Sequence, residues 1–127
     1  MPTTITQGIQ PSDWLKAEAP SDYSREQGTL ITGAGVVKSG TVLGRITATG
    51  KLTTRTIAAA DGSQNPVGLL LFTTDATSAD QRVAYIARDA IVAHQSLTRG
   101  ADVDTAPERA TENAALAAFG ILVREGA

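Results

Sequence analysis

Cysteine is absent from the 127 residues, and histidine, tryptophan and methionine each occur once. Without cysteine the chain forms neither disulfides nor thiolate metal sites, which is consistent with folding in the reducing cytoplasm. Aromatic residues make up only 4% of the chain, so aliphatic side chains must build most of the core. Small domains whose cores contain few large side chains often gain stability from oligomerisation. The length and composition therefore favour one small domain that associates with other subunits.

Neither sign of charge dominates the chain. Eleven basic and thirteen acidic residues give a formal net charge of -2, and the basic residues are scattered singly. A nucleic-acid binder normally shows a basic face or run that follows the phosphate backbone. No apolar stretch approaches the roughly 20 residues needed to cross a bilayer, and the start, MPTTITQGIQ, lacks the pattern of a signal peptide. We therefore expect no nucleic-acid partner and no membrane partner.

Residues 1–28 differ from the rest of the chain in composition and in hydrophobic pattern. Prolines occur at Pro2, Pro11 and Pro20, and neither a helical nor a strand period persists. This pattern predicts an extended N-terminal arm with little structure of its own. Tryptophan is costly to leave in water and is favoured as an interface anchor. For Trp14 and Leu15 two alternatives stay open, namely contact with a partner and packing on their own domain.

Short apolar segments separated by glycine turns begin at Leu30. Segments of this kind, rich in β-branched residues, are typical of strands. Gly50 lies between two of them and favours a hairpin turn. The predicted strands cover residues 41–47, 52–57, 67–73, 81–87, 90–93 and 121–124.

One helix is predicted near the C-terminus. Thr105 and Glu108 have the spacing of a capping box, and Pro107 falls in the first turn, where its missing donor does no harm. Alanines follow, and Gly120 can end the helix in the left-handed conformation. We therefore predict a mainly β fold with one short C-terminal α-helix, a compact small β-barrel or sandwich-like subunit that carries the extended N-terminal arm.

The residues that could support catalysis or cofactor binding are few. His94 alone cannot supply a zinc site, although an oligomer could bring copies together, and the simpler interpretation is a polar residue at a strand end. Gly33-Ala34-Gly35 begins like a dinucleotide fingerprint, but Lys38 stands where the third glycine belongs. Gly35 to Gly40 has the Walker spacing, but Thr41 replaces the phosphate-binding lysine. The sequence therefore predicts no enzyme, no cofactor and no metal site.

Two segments carry a family resemblance. The first runs from Trp14 to Glu26, and the second is GTVLGRITATGK at residues 40–51, followed by AAADGS at 58–63 and PVG at 66–68. In this order they resemble the head decoration proteins of tailed bacteriophages, the family that includes the phage lambda decoration protein. ARDA at 87–90, the alanine-rich helix and GILVR at 120–124 extend the resemblance over nearly the whole chain.

The resemblance implies a structural protein of the virion without catalytic residues. It implies a homotrimer on the outer surface of the expanded capsid, at local threefold positions, made in the host bacterial cytoplasm. The arm would pair with a strand of the major capsid protein and help to stabilise the shell. The chain then divides into a capsid-binding arm, residues 1–28, and a β-rich trimerising domain, residues 29–127.

Site residues follow from the arm. β-branched residues near the N-terminus suit strand addition, in which main-chain hydrogen bonds supply affinity and alternate side chains fill pockets. We predict capsid contacts for Thr3, Thr4, Ile5, Thr6, Ile9, Trp14 and Leu15. Tyr23, Arg25 and Glu26 are predicted to anchor the arm where it leaves the domain. Arg45, Arg82 and Arg88 are either ordinary surface charges or partners of acidic residues across a trimer interface.

Two other functions remain as alternatives. Small β domains also serve as tail or baseplate modules of phages. A small ligand-binding β domain would need clustered carboxylates or an aromatic platform, and five aromatic residues, Trp14, Tyr23, Phe72, Tyr85 and Phe119, are few for such a platform.

Overall fold

The structure is a computed structural model that describes residues 11–20 and 23–125, except for the side chain of Ser12. Ten strands, two α-helices and one short 3-10 helix follow one another along these residues. In chain order they are α1 (Pro11–Trp14), β1 (Leu15–Glu18), β2 (Arg25–Leu30), β3 (Gly35–Val37), β4 (Val42–Arg45), β5 (Leu52–Thr54), β6 (Pro66–Leu70), β7 (Thr74–Ala76), β8 (Gln81–Ile86), β9 (Ala90–Ala93), the 3-10 helix (His94–Ser96), α2 (Ala106–Ala117) and β10 (Ile121–Arg124).

A small closed barrel forms the centre of the fold. Its strands are hydrogen-bonded in the order β2-β5-β4-β6-β8, and the interior is aliphatic apart from Tyr85. Two glycines make room for this ring: a Cβ at Gly28 would lie 3.2 Å from Tyr85 Cε1, and one at Gly68 would lie 2.8 Å from Cδ2. The prediction of a mainly β fold with a small barrel is therefore confirmed.

A two-stranded ribbon of β3 and β7 lies against the barrel. Val36 faces Asp75 across the antiparallel ladder, while the neighbouring Val37 and Ala76 are buried in the barrel core. The sequence did not predict these strands, because each has only three residues and shows no clear alternation.

A second sheet has the order β1-β9-β10, with β10 parallel to β9. A second core forms where Trp14, Val92, Leu116 and Ile121 pack together with Ile86 of β8. Adjacent residues of a strand point to opposite faces, so Tyr85 fills the barrel while Ile86 faces the second core. β8 therefore forms a wall shared by both cores.

The predicted turn and cap chemistry is confirmed. Thr105 accepts from the backbone N–H of Glu108, and the Glu108 side chain accepts from the backbone N–H of Thr105, which completes the capping box. Gly120 follows the helix with a φ of +78°. β4 and β5 form the predicted antiparallel hairpin, with Gly50 at a φ of +71°.

The boundary predicted at residue 28 falls inside β2. β2 pairs with β8 along its whole length, from Arg25 opposite Ile86 to Leu30 opposite Gln81, and β1 pairs with β9. Residues 11–20 and 23–28 are thus part of the folded body. Because both strands carry several polar side chains, their sequences do not show the apolar and polar alternation that predicts a strand.

Glu112 of α2 is a fully buried carboxylate held by two arginines. Its Oε2 lies 2.8 Å from Arg55 Nη1, and its Oε1 lies 2.9 Å from Arg99 Nη1. Arg55 also donates from Nε to the Gln64 carbonyl at 2.7 Å. Arg99 Nη2 lies 3.1 Å from His94 Nδ1, and since guanidinium has no acceptor, this nitrogen accepts. The network joins the barrel, the segment before α2 and α2 itself.

Replacing Glu112 by glutamine tests this network. Glu112→Gln leaves two buried arginines without a counter-charge, and we expect a loss of about 3–5 kcal/mol in the free energy of unfolding. Glu26→Gln is the matched control, because Glu26 belongs to an ion pair that is far more exposed and should cost at most about 1 kcal/mol. Urea unfolding measures both, and equal losses would contradict the assignment.

Candidate functional site

Trp14 belongs to the core of its own chain. Its side chain is fully buried, and its Nε1 donates to Ser39 Oγ at 2.9 Å. Ser39 Oγ in turn donates to the Leu71 carbonyl at 2.6 Å. Gly40 has a φ of +82°, and a Cβ there would lie 2.7 Å from Trp14 Cδ1. The indole therefore fills a pocket that requires glycine on one wall.

Of the two alternatives that the sequence left open, the full burial of Trp14 favours packing on its own domain. Leu15 starts β1 opposite Val92 and packs partly buried against the same core, so its capsid contact stays a prediction. The other predicted contacts, Thr3, Thr4, Ile5, Thr6 and Ile9, lie outside the described residues.

Tyr23, Arg25 and Glu26 join the chain after β1 to the rest of the body. Arg25 donates from Nε and Nη2 to the two carboxylate oxygens of Glu18, at 3.1 and 2.7 Å. Arg88 pairs with Glu26, donates to the Tyr23 carbonyl and lies 5.4 Å from the centre of the Tyr23 ring. The hydrogen bond to Glu26 raises the pKa of the Arg88 guanidinium.

Buried Ser24 connects three turns at this end of the body. Its Oγ donates to the Asp89 carbonyl at 2.7 Å and accepts from the Ala19 N–H at 2.9 Å. Asp89 has a φ of +47°, and its N–H donates to the Phe119 carbonyl. A Cβ at Gly120 would lie 2.3 Å from Asp89 Oδ1. The turns at Ser24, Asp89 and Gly120 therefore fix one another.

Around these turns the surface combines aromatic and cationic side chains. We call Tyr23, Arg45, Val67, Arg88 and Phe119 the end patch. All but Tyr23 line an open depression of about 450 Å³, and Tyr23 is joined to it by the contact with Arg88. Such an open, shallow surface suits contact with another macromolecule better than enclosure of a small ligand.

A second apolar surface lies on the three-stranded sheet. Ala17 faces Ile91 and Ile91 faces Leu122 in the registers of the sheet, and all three line one shallow depression of about 320 Å³. We call these three residues the sheet strip. Leu122 is 43% exposed, so the strip presents aliphatic surface to solvent.

The two motif segments at residues 40–51 and 58–63 pack against each other. A Cβ at Gly44 would lie 2.0 Å from the Ser63 carbonyl oxygen, and one at Gly62 would lie 2.1 Å from Thr47 Oγ1. Thr47 N–H donates to the Asp61 carbonyl at 2.9 Å. Gly44 and Gly62 each lack a side chain at the point where one segment touches the other. This close packing gives a physical reason for the two motifs to occur together.

The described part of the chain offers no centre for metal chemistry. Across residues 11–20 and 23–125, no group of three or more histidine, aspartate or glutamate side chains could hold an ion. His94 instead faces Arg99 and the Asn113 amide. Within the same ranges, none of the helices is long and apolar enough to cross a membrane.

Fluorescence of the single tryptophan tests the placement of Trp14. Because the indole is buried before any partner binds, we expect blue-shifted emission that acrylamide quenches poorly in the free protein. Trp14→Ala should lower the free energy of unfolding by about 3–5 kcal/mol, whereas Trp14→Phe, which loses the bond to Ser39, should cost less. Red-shifted, readily quenched emission in the folded protein would contradict this placement.

Comparison with known proteins gives one family. Residues 4–121 match the sequence model of a family described as bacteriophage lambda head decoration protein D. No curated protein matches the chain. The matched range covers both motif segments, the whole barrel and α2, and it reaches the first residue of β10. The chain therefore belongs to the family of the bacteriophage lambda head decoration protein, a structural protein of the phage head.

Proposed function

We propose that this protein is a cement of the phage head that binds as a homotrimer to local threefold positions on the outer surface of the expanded capsid. Family membership over residues 4–121 carries the proposal. The partner is the major capsid protein, and the N-terminal segment, residues 1–10, adds a strand to it. This segment replaces the longer arm of residues 1–28, because residues 11–20 and 23–28 belong to the body.

Cementing of this kind follows from mass action. A protein that binds the assembled shell but not its opened form stabilises the shell by an amount that grows with its concentration. A single N-terminal segment binds weakly, because ordering it costs free energy. When three segments leave one trimer, the second and third bind intramolecularly, which raises the overall affinity by roughly 10²–10⁴-fold.

Trp14 fixes the point from which the segment leaves the body. α1 contains Trp14 and leads directly into β1 of the three-stranded sheet. α1 lies beside the 3-10 helix, at the Val92 end of the three-stranded sheet, and the sheet strip extends towards the Ala90 end. Ten extended residues span at most about 36 Å. We assign the sheet strip to the side of the body that faces the capsid, since Ala17, Ile91 and Leu122 offer aliphatic surface on the sheet that α1 leads into.

Strand addition also assigns roles within the segment. Alternate residues of a strand share a face, so Ile5 and Ile9 point to one side and Thr4 and Thr6 to the other. The two isoleucines are the only large apolar side chains of this segment apart from Met1. They are the side chains that fill pockets of the capsid protein.

Removal of the segment tests this assignment. A chain of residues 11–127 should melt at the temperature of the full chain, because the body is intact, but should bind expanded capsids at least about a hundredfold more weakly. Ile5→Asp should also weaken binding, and Thr4→Asp, which places the same charge on the other face, should weaken it less. Capsid co-sedimentation measures all four proteins. Full affinity of the shortened chain would contradict the proposed role of the segment.

A further inference from the structure

The depression that contains the sheet strip is not uniformly apolar. Besides the three aliphatic residues of the strip, its lining includes two carboxylates, Glu18 and Asp89. Glu18 is already engaged, because Arg25 donates to both of its carboxylate oxygens. Asp89 is exposed, and no basic side chain of the described residues pairs with it. The depression therefore has one uncompensated negative charge, at the Ala90 end of the sheet.

The backbone of Asp89 is held in one position. Its φ of +47° lies in the left-handed region, which few residues other than glycine, asparagine and aspartate adopt. Its N–H donates to the Phe119 carbonyl, and its own carbonyl accepts from Ser24 Oγ at 2.7 Å and from the Ala19 N–H at 3.2 Å. A charge carried on a fixed backbone binds an opposite charge with a smaller entropic cost than one on a free loop.

The opposite end of the same face carries positive charge. Residues two apart in a strand share a face of the sheet, so Arg124 lies on the face of Leu122. In the register with β9, Arg124 is paired with Ala93, the last residue of that strand. The Arg124 side chain is exposed, and no carboxylate of the described residues pairs with it. The strip thus lies between a negative end and a positive end.

The other charged residues near this sheet leave that pattern in place. Glu125 lines the depression beside α2 instead of the strip. Lys16 lies in the bulge of β1 and adds a second cation near the positive end. Asp13 belongs to α1, which packs beside the 3-10 helix. Arg88 pairs with Glu26.

We propose that the sheet strip binds a segment of the major capsid protein that carries a basic, an aliphatic and an acidic side chain in a row. The basic side chain faces Asp89, the aliphatic one lies on the strip, and the acidic one faces Arg124. Asp89 lies four positions before Ala93, the residue beside Arg124, which corresponds to about 13 Å of strand. Side chains at positions i, i+2 and i+4 of an extended segment share a face and span that distance. This inference rests on the proposed function, in which the strip faces the capsid.

The order of charges also fits a second copy of the chain turned about a twofold axis. Asp89 of each copy would then face Arg124 of the other. Such a contact is isologous and joins copies in pairs. Three subunits cannot all be paired in this way, whereas each of three strips can bind its own capsid segment. The capsid is therefore the occupant that agrees with the proposed homotrimer.

Removal of the two charges tests the inference on the full-length protein. Asp89→Asn and Arg124→Gln each remove one charge and nearly keep the size of the side chain. Each should weaken binding to expanded capsids about tenfold, because the small loss at one ion pair is repeated in three subunits. Glu125→Gln is the matched control, since it removes a charge next to Arg124 but outside the strip, and it should bind like the wild type. Capsid co-sedimentation measures the affinities, and thermal melting confirms that each variant is folded.

Exchange of the two charges tests their order. Asp89→Lys combined with Arg124→Glu keeps the net charge and the aliphatic strip but reverses the two ends, so this variant should bind capsids more weakly than either single variant. Wild-type affinity of the exchanged chain would overturn the inference. Asparagine tolerates the left-handed backbone at position 89 better than lysine does, so the neutral variants decide if the exchanged chain is unfolded. Neutral variants that bind like the wild type would also overturn it.

Light scattering on the same proteins recognises the twofold alternative. A strip that binds its own twin gives even-numbered assemblies of the wild type, and the exchanged chain would still form them, because both charges are reversed in each copy. That result would overturn the capsid assignment. Failure of the wild type to bind expanded capsids contradicts the proposed function itself, whereas wild-type binding that the variants leave unchanged contradicts only this inference.

Discussion

A fully buried carboxylate must be neutralised, and Glu112 imposes this constraint on the body. Arg55 follows the barrel hairpin, Arg99 follows the 3-10 helix, and both reach the same carboxylate of α2. Removing either arginine would weaken the compensation of a charge that is already shielded from water. The barrel, the segment before α2 and α2 are therefore held in one arrangement. With a thin aliphatic core, such a directional contact fixes where α2 packs on the barrel, and α2 covers the core that contains Trp14.

The same arrangement leaves exposed apolar surface outside the two cores. Trp14 ties the start of the body into the second core through Ser39. The sheet strip of Ala17, Ile91 and Leu122 offers aliphatic surface on the three-stranded sheet. Under the proposed function this strip faces the capsid and residues 1–10 add a strand to the major capsid protein, so that binding alone would stabilise the shell.

Local sequence signals predicted the local structure well. The capping box at Thr105 and the β-branched segments of β4, β8 and β9 depend on local interactions, so the sequence alone indicates them. The family-like motifs led to the family that the comparison shows. The structure of residues 11–28 was not predictable in the same way. β1 and β2 have mixed polar faces, and their pairing partners lie 51 to 77 residues away in the chain. Glu112 looked like an ordinary helix surface residue, because only the fold brings Arg55 and Arg99 to it. The burial of Trp14 likewise depends on Gly40 and Ser39, which no pattern around Trp14 indicates.

Electron cryomicroscopy of expanded capsids saturated with this protein tests the central claim most directly. The account predicts three copies around each local threefold position, the sheet strip towards the shell, and residues 1–10 forming a strand beside the major capsid protein. Density for the protein on the tail, or single copies scattered without threefold order on the head, would contradict it.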